Sequence, residues 1–370
     1  MRYVYIIIFA FICQAVFSQA SVNQWPVFRG SSDLSGNTDI EITANPALLW
    51  SVSTEGRTKS SPVIGEGTVY FGNDKGTLYA ISGTGRKLWQ QETGSGSEAA
   101  PLLFGNNVFI GSSDGSFRAY NKTNGRIMWT YATENQIIGS GNAWVSGNYA
   151  GIIVGSYDYY LHCVNPETGQ VMWKVETNNY VNGTPSVSNN KIIFGGCDGI
   201  LRVTDPRTGV QRETIEIGSY IAASPAVANN MAYVGDYDGA LYCIDIPASA
   251  VKWVIPAGQM EGSILGIPAV GNNSVIIGNE DKYLYCYDAG DGNLIWKYRT
   301  NGRIIGSAVL TPTKVIFGSM DGYIYMLDLK NGRKIWSFNA GAPISSSPAI
   351  ADNRLYILTE DGRLLAFGQK

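Results

Sequence analysis

The sequence predicts an all-β protein, a closed ring of eight four-stranded antiparallel blades (a β-propeller), on three observations. A short phrase recurs about every 40 residues in two independent columns. Gly and Tyr are abundant, at 44 and 22 of 370 residues, which suits turns and strands. The repeats open, around Trp50, with a fourth-strand phrase that has no blade before it and end, after Asp361, with a blade that has no fourth strand.

The first column is a turn Asp, followed by Gly at five of its seven places: Asp114, Asp158, Asp198, Asp238, Asp281, Asp321 and Asp361, with Lys75 in the first place. The intervals from Lys75 onward are 39, 44, 40, 40, 43, 40 and 40 residues. The second column is Trp50, Trp89, Trp129, Trp173, Trp253, Trp296 and Trp336, and Glu213 stands where one Trp is missing. A repeat of this length with four strand-like pieces is a propeller blade; the Tyr, Ile and Val content and turn spacing exclude a helical solenoid.

Taken in order, residues 1–20 come first. Arg2 is followed by an apolar stretch from Val4 to Cys13 and then by Ser18-Gln19-Ala20. This pattern predicts a cleaved secretory signal, and hence an exported, periplasmic or extracellular chain that could be membrane-associated. Phe11 and Ile12 before Cys13 are not the small residues of a lipid-attachment site. Residues 21–46, with "NQWPVFRGSSDLSGNTDI", have little periodicity and predict an extension that Trp25 and Phe28 pin to the ring. The propeller is assigned to 47–370. "PALLWSVST" around Trp50 supplies the outer strand that "GRLLAFGQK" after Asp361 lacks, so the two ends of the chain close one blade and remove open edges.

Within each blade, Asp-Gly and Asn-Gly turns suit tight hairpins because both positions tolerate positive φ. In the third strand Leu284, Ile324 and Leu364 share a face with Cys163, Cys243, Cys286, Met326 and Ala366, and Tyr242, Tyr285 and Tyr325 line the other. Both faces are apolar or aromatic, so both pack against neighbouring blades.

Most of the repeated residues read as architecture. A Trp ring fills the wedge between blades and its N–H finds a backbone acceptor. An Asp before Gly bonds its own turn. No dense carboxylate loop suggests calcium, and one His162 makes a zinc site or catalytic triad a poor reading. Cys163, Cys197, Cys243 and Cys286 form no C-x-x-C motif; spacing leaves their disulfide state open. Net charge of -3 gives no pull toward nucleic acid.

The varied positions lie in the connections from one blade's Trp strand to the next blade's first strand. There Arg57, Lys59, Glu98, Gln136, Tyr180, Asn182, Tyr220, Gln259, Glu261 and Arg303 precede small residues that suit crowded strands converging on the axis. They predict a polar rim around one mouth of the central channel, where function can differ from blade to blade.

"GSSDGSFRAYNKTNGRIMW", "GCDGILRVTDPRTG", "GSMDGYIYMLDLKNGRKIW", "SSPVIGEGTVYFG", "SSPAIADNRLYIL" and "WPVFRG" resemble the pyrroloquinoline-quinone-type eight-bladed propeller repeat family over about residues 25 to 368. That family contains quinone- and calcium-dependent alcohol and sugar dehydrogenases, whose calcium site, base Asp and vicinal disulfide have no match by motif here. It also contains the propeller subunit of the bacterial outer-membrane barrel-assembly machine, similar to this chain in length and blade count. The resemblance implies a non-catalytic, monomeric envelope scaffold without cofactor that binds a protein or peptide. A quinone dehydrogenase and a carbohydrate-binding propeller, with Tyr180 and Tyr220 stacking on sugar, are the alternatives.

Overall fold

The computed structural model describes residues 24–370, so the signal at 1–20 lies outside the described residues. Eight separate four-stranded sheets run in chain order, all antiparallel. Seven are continuous stretches: 63–92, 102–132, 142–176, 186–216, 226–255, 269–299 and 309–339, here blades 1 to 7. Blade 8 takes its three inner strands from 349–368 and its outer strand from Ala47–Ser53. The register of that closure runs from Ala47 opposite Gly368 to Ser53 opposite Arg363, with an irregularity between Leu48 and Trp50. Pairing of the two chain ends therefore leaves every blade with the same complement of strands.

The core lies between blades. Ile193, Leu201 and Val203 of blade 4 pack with Val227, Ala232 and Val234 of blade 5, and the other interfaces repeat the arrangement. Third-strand residues on both faces are buried, as alternating apolar positions dictate. Cys163, Cys243 and Cys286 are buried free thiols inside this packing, and Cys197 is a half-buried free thiol.

Six Trp indoles reach across to the next blade. Trp50, Trp89, Trp129, Trp173, Trp253 and Trp296 donate to the carbonyls of Gly83, Lys122, Pro166, Pro206, Ala289 and Leu329, at 2.8 to 3.2 Å. Beneath these rings lies the turn Gly of the next blade. At Gly209, with φ of 71°, an added Cβ would fall 2.8 Å from the Trp173 ring. Trp336 instead meets Phe367 edge-on, with centroids 5.4 Å apart. At the interface without Trp, Ser249 stands in the Gly column with φ of 52°, and its hydroxyl donates to Glu213. A loss of Trp and a loss of Gly thus coincide, and a polar pair replaces the stacked one.

The extension crosses one end of the ring as a strap. Its carbonyls at Trp25, Pro26, Ser32, Asp33, Ser35 and Gly36 accept the N–H groups of Ile64, Leu103, Val187, Val227, Val270 and Leu310, at 2.7 to 2.9 Å. Each donor lies in the innermost strand of a different blade, six blades in all. Trp25 is buried, and Phe28 faces the channel. Arg29 is only 1% exposed; its guanidinium donates to the carbonyls of Ala308, Pro268 and Leu34. Beyond it, Glu41 accepts hydrogen bonds from Thr311, Lys314 and the Thr313 amide on blade 7.

Candidate functional site: the open mouth of the ring

Opposite the strap, the channel opens between the connecting loops. Its walls are layered because each blade contributes the same three positions in turn. The mouth layer is Lys59, Glu98, Ile138, Asn182, Ala222, Leu265, Ile305 and Ser345. The next layer is made only of Gly, Ala and Ser, as convergence on the axis requires. Below it come Ser61, Ala100, Ser140, Thr184, Ser224, Ile267, Ser307 and Ser347, and Phe28 of the strap forms the floor.

Outside the mouth layer, two loop systems lie side by side. The amides of Asp74, Tyr157, Cys197, Tyr237, Met320 and Glu360 donate to the carbonyls of Arg57, Gln136, Tyr180, Tyr220, Arg303 and Pro343, at 2.8 to 3.0 Å. The donors are residues one place before the Asp column. That position varies from blade to blade as much as the connections do, and it is the signal by which sequence reasoning could have found Glu280, Glu360, Tyr157 and Tyr237.

The rim divides by chemistry. On blades 7, 8 and 1 the cations are paired: Arg303 with Glu280 at 2.8 Å, Arg57 with Glu360 at 2.9 Å and Lys59 with Glu98 at 2.9 Å. On blades 3 to 5 tyrosines gather. Tyr180 stacks on Tyr157 with centroids 4.3 Å apart, Tyr159 tilts against Tyr180 at 5.3 Å, and the Tyr157 hydroxyl donates to Asn182. Tyr220 and Tyr237 are 57% and 52% exposed at the next blade. Gln259 and Glu261 are exposed on the loop leading to blade 6, and their side chains make no hydrogen bond among the described residues. The ten predicted rim residues thus fall into a charged arc, a tyrosine arc and isolated polar positions.

The Asp column sits just outside this rim. Asp114, Asp158, Asp198, Asp281 and Asp321 each accept the amide two residues on. Five have a partner four residues later, one strand position inward: Arg118, His162, Arg202, Tyr285 and Tyr325. Asp361 bonds Thr359 and Arg363. Asp238 departs from the pattern: it is exposed, and Asp236 takes its role, accepting from the Ala240 amide and the Tyr242 hydroxyl. Lys75 of blade 1 is likewise a bystander, since Asn73 accepts from the amides of Lys75 and Thr77.

These environments split the carboxylates. Burial raises Asp198, but hydrogen bonds and charge from Arg202 outweigh it and hold the carboxyl below its ordinary range. The same balance, with His162, lowers Asp158. Asp236 has no cation, so burial pushes it up. His162 is fully buried between Asp158 at 3.0 Å and the Tyr131 hydroxyl at 2.9 Å. Burial lifts the thiols of Cys163 and Cys243 to about 12 and about 11, which makes them poor nucleophiles.

Among the described residues no three His, Cys, Asp or Glu side chains gather closely enough to hold a metal ion. The mouth carboxylates Glu98, Glu280 and Glu360 are each spent on a cation. The donor set of a quinone-bound calcium does not fit this mouth.

No curated protein matches the chain. Among solved structures, BamB from Moraxella catarrhalis is similar at 19% identity, with TM-score 0.73 over 88% of this chain and 98% of that one. A europium-containing methanol dehydrogenase aligns at 14% identity and TM-score 0.76, over 92% of this chain and 90% of that one. The computationally designed Ika8 protein aligns at 19% identity and TM-score 0.75, over 89% of this chain and all of that one. An enzyme, an assembly factor and a design share the architecture, so these likenesses speak for the fold alone. The family model described as outer membrane protein assembly factor BamB matches residues 39–155, 138–212 and 197–370, and the chain belongs to that family.

Proposed function

We propose that the protein is an exported, non-catalytic scaffold that binds a protein partner at the open mouth of the ring. The setting suggested by its family is assembly of outer membrane proteins. One observation carries the reading: exposed tyrosines of blades 3 to 5 converge on the same mouth as the paired charges of blades 7, 8 and 1. Clustered exposed Tyr is a common anchor of protein contacts, and the ion pairs across the mouth select orientation by charge. The rigid ring keeps the ordering cost of binding low.

Crosslinking followed by pull-down from the native envelope tests this, using wild type, a Tyr180→Ser/Tyr220→Ser variant and an Arg57→Glu/Arg303→Glu variant. A defined partner should be lost by the tyrosine variant and weakened by the charge variant, with melting temperatures unchanged. Partners retained by both variants would move the contact to the outer blade edges or the strap.

A further inference from the structure

The third layer of the channel is a nearly continuous hydroxyl belt. Backbone N–H groups of Ala100, Ser140 and Thr184 donate to the hydroxyls of Ser140, Thr184 and Ser224, at 2.6 to 3.0 Å. Those of Ile267, Ser307 and Ser347 donate to the hydroxyls of Ser307, Ser347 and Ser61, at 2.8 to 3.1 Å. The belt is broken only where blades 2 and 6 carry Ala100 and Ile267. All six hydroxyl residues are at least nine-tenths buried and line the channel.

Each hydroxyl oxygen accepts one backbone N–H, which leaves it an O–H and one further lone pair. None of the six donates to a protein acceptor among the described residues. A seventh hydroxyl, that of Ser345 in the mouth layer, is buried with no partner at all. These free O–H groups converge on one axis and can all donate at once to an occupant that accepts from every side. One buried cation lies close to the channel, behind its lining residues. Arg29 lies one residue beneath the belt, bonded to the carbonyls of Pro268 and Ala308, which directly follow Ile267 and Ser307. Its partners there are all carbonyls; Asp33 is the carboxylate that acts on it. Burial lowers its pKa only to about 9, so the guanidinium is charged at neutral pH. The belt layer and floor contain no acid, and Glu98 at the mouth is held by Lys59.

From the belt, the orphan hydroxyl and the buried guanidinium, we infer that the channel is a binding site for one small inorganic oxyanion of the phosphate or sulfate class. The cavity volume of about 200 Å³ exceeds the roughly 30 Å³ share of one water and admits such an ion with part of its hydration. Hydroxyl donors hold it without a lysine or arginine in direct contact, and the strap closes the far end, so entry is past Lys59.

The test uses the full mature chain and inorganic phosphate, followed by phosphorus NMR line broadening and by calorimetry at constant ionic strength with chloride as balance. Wild type should bind one phosphate saturably, with sulfate competing. Ala100→Ser adds the missing hydroxyl without removing any acceptor and should tighten binding. Ser307→Ala should weaken it by about tenfold, the worth of one hydrogen bond to a charged group. Because Ser307→Ala also strips the Ile267 amide of its acceptor, circular dichroism must show it folded, and Ala100→Ser carries the argument if it is not. Absence of saturable binding in wild type would mean a channel that holds water only. Binding indifferent to Ala100→Ser and to folded Ser307→Ala would place the ion elsewhere; either result overturns the inference.

Discussion

Single residues at this ring are best understood by comparing a position around its eight copies. Asp198 and Asp236 are both buried turn carboxylates, yet only Asp198 has a cation. The same substitution should therefore have opposite signs. A depressed carboxylate stabilises the fold above its unfolded pKa, and that contribution is lost as pH falls through the folded value. Asp198→Asn should lower the melting temperature at pH 7, and the deficit should shrink below about pH 4. Asp236 is raised, so its ionised form opposes folding at neutral pH. Asp236→Asn should raise the melting temperature at pH 7, and the gain should disappear on acidification toward pH 4. Blades 1 and 6 already carry Asn73 and Asn279 at this place. A pH series of thermal melts on both variants checks the pair.

The interface between blades 4 and 5 offers a second residue-scale test. Glu213→Trp alone should destabilise, because the Trp ring would meet the Ser249 side chain where other blades have Gly. Adding Ser249→Gly should restore stability to wild type or above. A double-mutant cycle by denaturant unfolding should give a coupling on the order of 1 kcal/mol or more. The break at Glu213 in the Trp column is visible in the sequence. Its link to Ser249 is not, because Glu213 and Ser249 are 36 residues apart in different blades, and only the ring geometry makes them neighbours.

At the scale of elements, the blades were legible and the strap only partly so. A blade repeats, so each Trp or Asp is read several times over. Residues 24–46 occur once, and their bonds run through backbone carbonyls that no side-chain pattern announces. Trp25 and Phe28 stand out by size, but nothing in "WPVFRG" marks Arg29 as buried. The rim is half legible for the same reason: the connections differ visibly from blade to blade, while the place before each Asp is hidden inside the repeated turn. Removing the strap should leave six inner-strand N–H groups without partners, at about 1 kcal/mol each. A chain starting at residue 43 should lose on the order of 5 kcal/mol or more. In hydrogen exchange, the amides of Ile64, Leu103, Val187, Val227, Val270 and Leu310 should lose protection first.

For the whole molecule, stability rests on closure. Each blade is held by two neighbours, and blade 8 exists only when the strand Ala47–Ser53 meets Arg363–Gly368. Deleting residues 47–54 should lower the melting temperature by at least about 5 °C in calorimetry and broaden a single transition as blades near the seam unfold early. An unchanged, sharp transition would mean that the seam contributes nothing to the ring.

That seam also sets a clock. The strand at Ala47–Ser53 leaves the ribosome roughly 310 residues ahead of the one that will pair with it, and chains grow at about 5–20 residues per second. For about 15–60 seconds the first strand has an unsatisfied edge while seven complete blades accumulate behind it. The polypeptide can gain blade-by-blade order during that interval, but it cannot become a ring until its last residues arrive. Closure of the ring therefore waits on the strand Arg363–Gly368, and until it is made the strand Ala47–Ser53 has no partner in the chain.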